Sequence, residues 1–226
     1  MLCLEGAFAT ENNLGTWTVP AGVSCWVPAK LRHRVAPAPA ARVRTLYISV
    51  RASSAVARMD RIGVLKPSAL LRAIIDEIGR VEVLRTDDAA AKRLAGVLLD
   101  QLAQQHELPL FIPALASPLP RRVAAALAGD PADTPRATDL ATELGVSTRT
   151  LERAFVIDAN MNLGEWRQRS RIARAIALLA GGSDVKDVAL EVGYATPSAF
   201  VTAFKRYVGM TPGKIQHRVL LQKCGD

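Results

Sequence analysis

Two stretches of this chain repeat each other: Ala141-Thr-Glu-Leu-Gly145-Val-Ser147-Thr-Arg-Thr-Leu151-Glu-Arg-Ala-Phe155 and Ala189-Leu-Glu-Val-Gly193-Tyr-Ala-Thr196-Pro-Ser-Ala-Phe200-Val-Thr-Ala-Phe204. Ala141 to Ala189 and Gly145 to Gly193 are offset by 48 residues, whereas Leu151 to Phe200 and Phe155 to Phe204 are offset by 49. The second turn is therefore one residue longer. Each shared position has a physical reason. Alanine is small where two helices cross closely. Glycine ends a helix in the left-handed conformation that other residues adopt at a cost. Ser147 and Thr196 are residue types that cap the free amides of a following helix. Pro197 is preset for a first helical position. Leu151/Phe155 and Phe200/Phe204 lie four apart, on one inner face. A short helix, a glycine turn and a capped second helix make the helix-turn-helix pattern. One match of this kind is weak, but two with the same caps and the same inner pair stand against the plain alternative of a helical bundle with two glycine turns.

The segment joining the copies, residues 163–180, has a helical period. Trp166, Ala173, Ile176 and Ala180 share one face, and Arg167, Arg171 and Arg174 share another at i, i+4 and i+7. The arginine face is either simply solvated or the phosphate side of a rod that spaces two DNA readers.

Residues 120–218 resemble the AraC/XylS-type DNA-binding domain. The residues that carry the resemblance are Gly145 to Phe155, Trp166-Arg167, Gly193-Tyr194, Ser198-Ala-Phe200, Phe204 and the closing Gly209-Met-Thr-Pro212. The resemblance implies two helix-turn-helix units on one long helix, with two recognition helices entering adjacent major grooves roughly 34 Å apart. It places the first recognition helix from Ser147 to Asp158, where Ser147, Thr148, Arg149, Glu152 and Arg153 stand at contact positions. Arginine pairs bidentately with guanine, and glutamate accepts from cytosine. It places the second from Pro197 to Val208. There Thr196, Pro197, Ser198 and Thr202 are short or lack donors, and Lys205 and Arg206 suit phosphate, as do Arg167 and Arg171. The first unit is thus expected to discriminate sequence and the second to anchor. Asn160 replaces the glycine usual after the first recognition helix, but asparagine tolerates a left-handed position. Ile215 stands where an aromatic is common.

The totals agree with this reading. The chain has 226 residues, 50% hydrophobic and 22% charged, with a formal net charge of +8. Residues 1–60 and 118–226 each carry +4, and residues 61–117 are neutral. A basic balance favours nucleic acid but serves solubility equally well. A rival in which the chain packages nucleic acid without sequence preference is opposed by the glycine-capped repeat. No apolar run approaches the ~20 residues of a membrane span, and Met1 to Ala9, with Glu5 so early, lacks the form of a secretory signal. Cys3, Cys25 and Cys224 have no metal-site spacing and read as reduced thiols of a cytoplasmic protein.

The N-terminal part reads as strands over residues 14–50, with Trp17, Val19, Trp26, Val27 and the run Val43 to Val50 punctuated by Pro20, Gly22, Pro28 and Pro37. The stretch Ala36 to Ala41 reads as a surface turn. Gly22, Pro28 and His33 have the spacing of the second cupin motif, with Lys30 where glycine is usual. Residues 15–50 therefore resemble half of a cupin barrel, and the first motif is largely absent. The resemblance implies a sensor of a small-molecule effector, with His33 and Trp26 as candidate contacts. It leaves three readings of the incomplete barrel: a start placed too late, lost effector control, or a sheet completed by a partner chain. A metal-dependent cupin enzyme is the main rival. It needs three or more protein ligands, and the only histidines are His33, His106 and His217. No metal, cofactor or catalysis is expected.

Residues 67–106 read as two helices. Pro67 opens the first, with Leu70, Leu71, Ile74, Ile75 and Ile78 as its stripe and Gly79 near its end. Asp87 and Asp88 open the second, with Leu94, Val97, Leu98 and Leu102. This pair resembles the dimerising hairpin of cupin-bearing relatives. Pro109, Pro113, Pro118 and Pro120 mark a domain boundary, and the chain beyond it reads as helix. The expectation is an α+β chain: a partial cupin-like sensor (1–60), a helical hairpin and linker (61–117), and an all-α DNA-binding domain (118–226). It acts as a homodimer on double-stranded DNA and contacts RNA polymerase as an activator or a repressor.

Overall fold

The structure, a computed structural model, describes residues 1–39, 41–53, 60–81, 83–84, 88–127 and 135–215. His217 and Cys224 lie outside these residues, as do Ala40 of the expected turn and Asp87 of the expected helix start. Among the described residues the chain is α+β.

The strands are β1 (Leu2–Glu5), β2 (Ala7–Asn12), β3 (Gly15–Pro20), β4 (Ser24–Trp26), β5 (Arg34–Pro37) and β6 (Arg42–Arg44). After the short helix α1 (Val50–Ser53) come β7 (Gly63–Lys66), helices α2 (Ala69–Val81) and α3 (Ala89–Ala103), then β8 (His106–Glu107) and β9 (Phe111–Pro113). Two antiparallel sheets result, in the orders β6-β1-β4-β7-β8 and β5-β2-β3-β9. The expected partial barrel therefore recruits strands from both sides of the helical hairpin. Trp17 stacks on its cross-strand partner Phe111, ring centroids 4.4 Å apart. That contact fixes β9 on the sheet and turns the Pro-rich stretch into an ordered strand with Pro113 in it.

Several expectations change here. The run Val43 to Val50 is not one strand: β6 ends at Arg44, Val50 opens α1, and Tyr47 is almost wholly exposed. Its β-branched composition does not build a strand because no neighbouring strand pairs beyond Leu2↔Arg44. Pro37 ends a paired strand, so the expected turn cannot begin at Ala36, and the Ala41 amide donates to the Ala38 carbonyl. His106 sits in β8, paired with Lys66, not at a helix end. The strands before residue 14 lie outside the segment read as strand.

The hairpin follows its pattern. Leu71, Ile74, Ile75 and Ile78 are buried on α2, as are Leu98 and Leu102 on α3, against Leu2 and Trp26 of the sheet. Leu70 and Val97 are exposed instead. Ser68, not Pro67, caps α2, its hydroxyl accepting from the Leu71 amide. Asp88 caps α3 through the Ala90 amide.

The helices beyond are α4 (Pro118–Leu127), α5 (Ala137–Glu143), α6 (Thr148–Ala159), α7 (Leu163–Ala180), α8 (Val185–Glu191) and α9 (Pro197–Val208). Their apolar faces divide between two cores. Val123, Leu140, Leu151, Phe155, Leu163 and Trp166 form one. The other is shared with the sheets: Ile172, Ile176, Leu179, Phe200 and Phe204 belong to the same cluster as Phe8, Trp17, Val19 and Val64. None of the helices among the described residues is long and apolar enough to cross a membrane.

A shared core makes a testable statement. Ile172→Ala should cost about 2–5 kcal/mol, as truncations of fully buried aliphatics do, read as a shift of the urea midpoint. Amide exchange in β2 and β3 should quicken with it. Unchanged protection in those strands would show that helix and sheet do not share one core.

Candidate nucleic-acid interface

The two repeat copies fold as α5-turn-α6 and α8-turn-α9. Ala141 and Ala189 are buried at the helix crossings, and Leu151, Phe155, Phe200 and Phe204 are fully buried. Gly145 has φ 68° and Gly193 φ 79°. A Cβ on Gly145 would touch nothing within 4 Å, so the backbone conformation alone explains the glycine there. Ser147 accepts from the Thr150 amide at 3.1 Å, and Thr196 from the Ala199 amide at 3.2 Å. Pro197 occupies the first turn of α9. Asn160 takes the left-handed cap of α6 with φ 51°, and Gly209 does the same for α9 with φ 72°.

These caps leave one face of each recognition helix in solvent. On α6, Arg149 and Arg153 are exposed, and among the described residues neither has a hydrogen-bond or ion-pair partner. Thr148 is half-buried beside them. Glu152 has another partner: its Oε2 accepts from the Leu163 amide at 3.2 Å, which ties the end of one unit to the start of α7. On α9, Ser198, Thr202, Lys205 and Arg206 are exposed. The Thr202 hydroxyl donates to the Ser198 carbonyl at 3.0 Å.

Helix α7 brings its arginines between the two units. Burial holds the Arg167 guanidinium below its ordinary range, with Arg171 adding to the effect and Glu152 opposing it. Its Nε and Nη2 are buried with no hydrogen-bond partner among the described residues. Arg171 lies over the Tyr194 ring, 5.9 Å from its centroid, and burial lowers it too. Gln168 donates to the Tyr194 hydroxyl. Arg174 is drawn away to Glu191 at 3.1 Å.

A part-buried polar chain that the repeat gave no sign of locks α9 to α7 and to the sheet. The Tyr207 hydroxyl donates to Glu165 Oε2 at 2.8 Å, Arg169 Nε donates to Glu165 Oε1 at 2.8 Å, and Arg169 Nη1 donates to the Phe111 carbonyl at 3.1 Å. Burial alone would raise the Glu165 carboxyl, but the hydrogen bonds from Arg169 and Tyr207 outweigh it and hold it below its usual range. Burial, and then Glu165, push the Tyr207 phenol up to about 12. Lys66 of β7 donates to the Gly209 carbonyl at 2.9 Å, a cation at the negative end of α9.

His33, a candidate effector contact, lies on the surface. It is exposed, with Nδ1 at 2.9 Å from the Leu31 carbonyl. Lys30, at the glycine position of the cupin-like motif, adopts φ 65°. Trp26 is half-buried between sheet and hairpin. Among the described residues no three His, Cys, Asp or Glu side chains come together as metal ligands.

Residues 140–218, which contain α6, α7 and α9, match the family described as a helix-turn-helix domain. The regulatory protein SoxS of Salmonella typhimurium is 32% identical over 81 residues, 35% of this chain and 76% of SoxS. The chain belongs to the AraC-type helix-turn-helix family of DNA-binding transcription regulators. An AraC-like transcription regulator of Streptomyces lividans is 34% identical over 48% of this chain and 36% of its own length. The transcriptional regulator NimR of Escherichia coli is 29% identical over 95% of this chain and 77% of its own. The likeness to NimR thus extends through the sheets and hairpin, beyond the AraC-type domain.

The left-handed cap at Asn160 can be tested directly. Asn160→Ala should destabilise the protein by about 1–2 kcal/mol, whereas Asn160→Gly should be neutral or slightly stabilising. Equal losses in thermal unfolding for the two variants would show that the cap's conformation is not what the residue supplies.

Proposed function

We propose that α6 reads bases and α9 chiefly anchors, so that the protein regulates transcription from sites discriminated mostly by its first helix-turn-helix unit. The observation that carries this is the contrast in donors. Arg149 and Arg153 stand exposed and unengaged among the described residues, whereas the reading positions of α9 hold Pro197, Ser198 and a Thr202 already bonded to its own helix. Lys205 and Arg206 are assigned to phosphates, as are Arg167 and Arg171, whose desolvated guanidinium groups favour an anionic partner. We assign Glu152 to holding α7 instead of reading a base, because its carboxylate serves the Leu163 amide. The exposed caps Ser147 and Thr196 place backbone amides toward phosphate. An 18-residue α7, about 27 Å long by helical rise, is commensurate with recognition helices one DNA turn apart.

In this reading the protein works in the cytoplasm, contacts RNA polymerase, responds to a small-molecule effector and has no catalytic activity. It acts as a homodimer through the hairpin, where Leu70 and Val97 present apolar surface to solvent. Sedimentation at micromolar concentration should give a dimer, and Leu70→Glu a monomer. A wild-type monomer would remove the hairpin's role.

The division of labour is tested on a footprinted operator with each base pair substituted in turn. Discrimination should concentrate under α6. Arg153→Ala should cost about 1–3 kcal/mol and relax specificity at one base pair. A uniform loss on all sequences would make Arg153 a phosphate contact, and stronger discrimination under α9 would reverse the assignment.

A further inference from the structure

The space between the two sheets, where a barrel would hold a ligand, is filled by Phe8, Trp17, Val19, Val23 and Val64 of one packed cluster. A different opening lies on the outer face, between β4, β7, β8 and the end of α3. It is a crevice of about 250 Å³ lined by Trp26, Gly63, Leu65, Leu102, Arg61 and Glu107, among others.

Its shape follows from strand register. Trp26 pairs with Gly63 across β4 and β7, and Leu65 with Glu107 across β7 and β8. Directly opposed residues share a face, so Trp26, Leu65 and Glu107 point to one side of the sheet. Gly63, with no side chain, leaves a gap beside the indole. Among the described residues, neither the backbone conformation nor the nearest contacts demand glycine there. Its φ is outside the left-handed region, and an added Cβ would meet Glu107 and Leu65 at 3.7–3.8 Å, ordinary contact. A glycine inside a strand often marks the close approach of another group.

The rim has a definite polarity. Arg61 Nη1 and Nη2 donate to Glu107 Oε1 and Oε2 at 3.1 and 2.8 Å. A guanidinium has five N–H donors and a carboxylate about four acceptor sites. The pair therefore keeps donors on one side and acceptors on the other for a third molecule. It carries one charge of each sign, so an ion gains against one partner and loses against the other. A neutral flat molecule with a donor and an acceptor along one edge is matched by both.

We propose that this crevice binds a small, neutral, planar nitrogen heterocycle, stacked against Trp26 with its amide-like edge on the Arg61–Glu107 pair. The proposal deepens the effector-responsive reading by giving the effector a site and a chemical class. Leu65 in the floor is followed by Lys66, which bonds the cap of α9, so the crevice lies one residue from a contact to the anchoring helix.

The test uses the full-length protein without DNA, so a failure of DNA binding leaves it intact. Nicotinamide, uracil and adenine are titrated by calorimetry, with nicotinate as the anionic counterpart of nicotinamide. At least one neutral probe should bind saturably below about 1 mM, and nicotinate should bind about tenfold or more weakly than nicotinamide. Arg61→Gln and Gly63→Ala should each weaken the bound probe about fivefold or more, with unchanged circular dichroism. No saturable binding of any neutral probe by about 5 mM would overturn the proposal. So would nicotinate binding as well as nicotinamide, or affinities unaffected by both substitutions.

Discussion

One helix passes through two hydrophobic cores, and the rest of the arrangement depends on it. At its start, α7 buries Leu163 and Trp166 with the first helix-turn-helix unit. Further on it buries Ile172, Ala175, Ile176 and Leu179 in the core shared by the second unit and the sheets. A helix apolar on successive faces cannot be covered by one neighbour. It needs partners along its length, and here they are three: the two helix-turn-helix units and the N-terminal sheets. Ala175 and Ala180 are fully or nearly fully buried, which lets neighbouring backbone come close. The spacing of α6 and α9 is therefore set by a continuous helix, not by a flexible linker.

The polar chain across this junction is consistent with that arrangement. A carboxylate such as Glu165 is costly to desolvate, and it is retained because Arg169 and Tyr207 both donate to it. The linkage has a clear sign. Glu165 is held below its usual range, so its contribution is present above the unfolded pKa and is lost as pH falls through the folded value. Tyr207 is raised to about 12, so its contribution is in place at neutral pH and fades only as alkaline pH deprotonates it. Around neutrality both groups are in the states the junction requires.

What the sequence made legible was local. Caps, glycine turns and four-residue spacings are set by neighbours along the chain. Ser147, Thr196, Pro197, Asn160 and the bounds of α7 could therefore be read directly. The long-range pairings could not. Strands β7, β8 and β9 are two to four residues long, too short to show a period, and they exist because β4 and β3 offer them edges. The apolar run ending at Val50 shows the converse, since composition without a pairing partner gives no strand. His33 fits a motif by spacing but falls on the surface, because the strand after it begins at Arg34 with its residues largely exposed. Tyr207 and Lys66 carry no motif signal, and the motif gives Glu152 a different role from its bond to the Leu163 amide, since each bonds a group that the fold, not the sequence, brings near. The glycine at position 63 is silent in the sequence for the same reason: its meaning depends on Trp26 across the strand pair.

The two reading units are also mechanically unequal. The first has a core of its own, against which Ile112 of β9 packs, and it is joined to the remainder also by α7 and by Asp158, whose carboxylate accepts from Ser117 Oγ at 2.8 Å and from the amides of Ala116 and Ser117. The second is continuous with the sheets and is held further through Tyr207 and Lys66. A helix that only anchors gains from being fixed, because each phosphate contact then orders fewer side chains on binding. A helix that discriminates bases needs its arginines at a defined depth in the groove, and Asp158 and Glu152 brace α6 from both its neighbours. The division proposed from the side chains on α6 and α9 is thus the same one that the packing makes beneath them. The helix to which we assign anchoring, α9, is the one whose core is shared with the sheets.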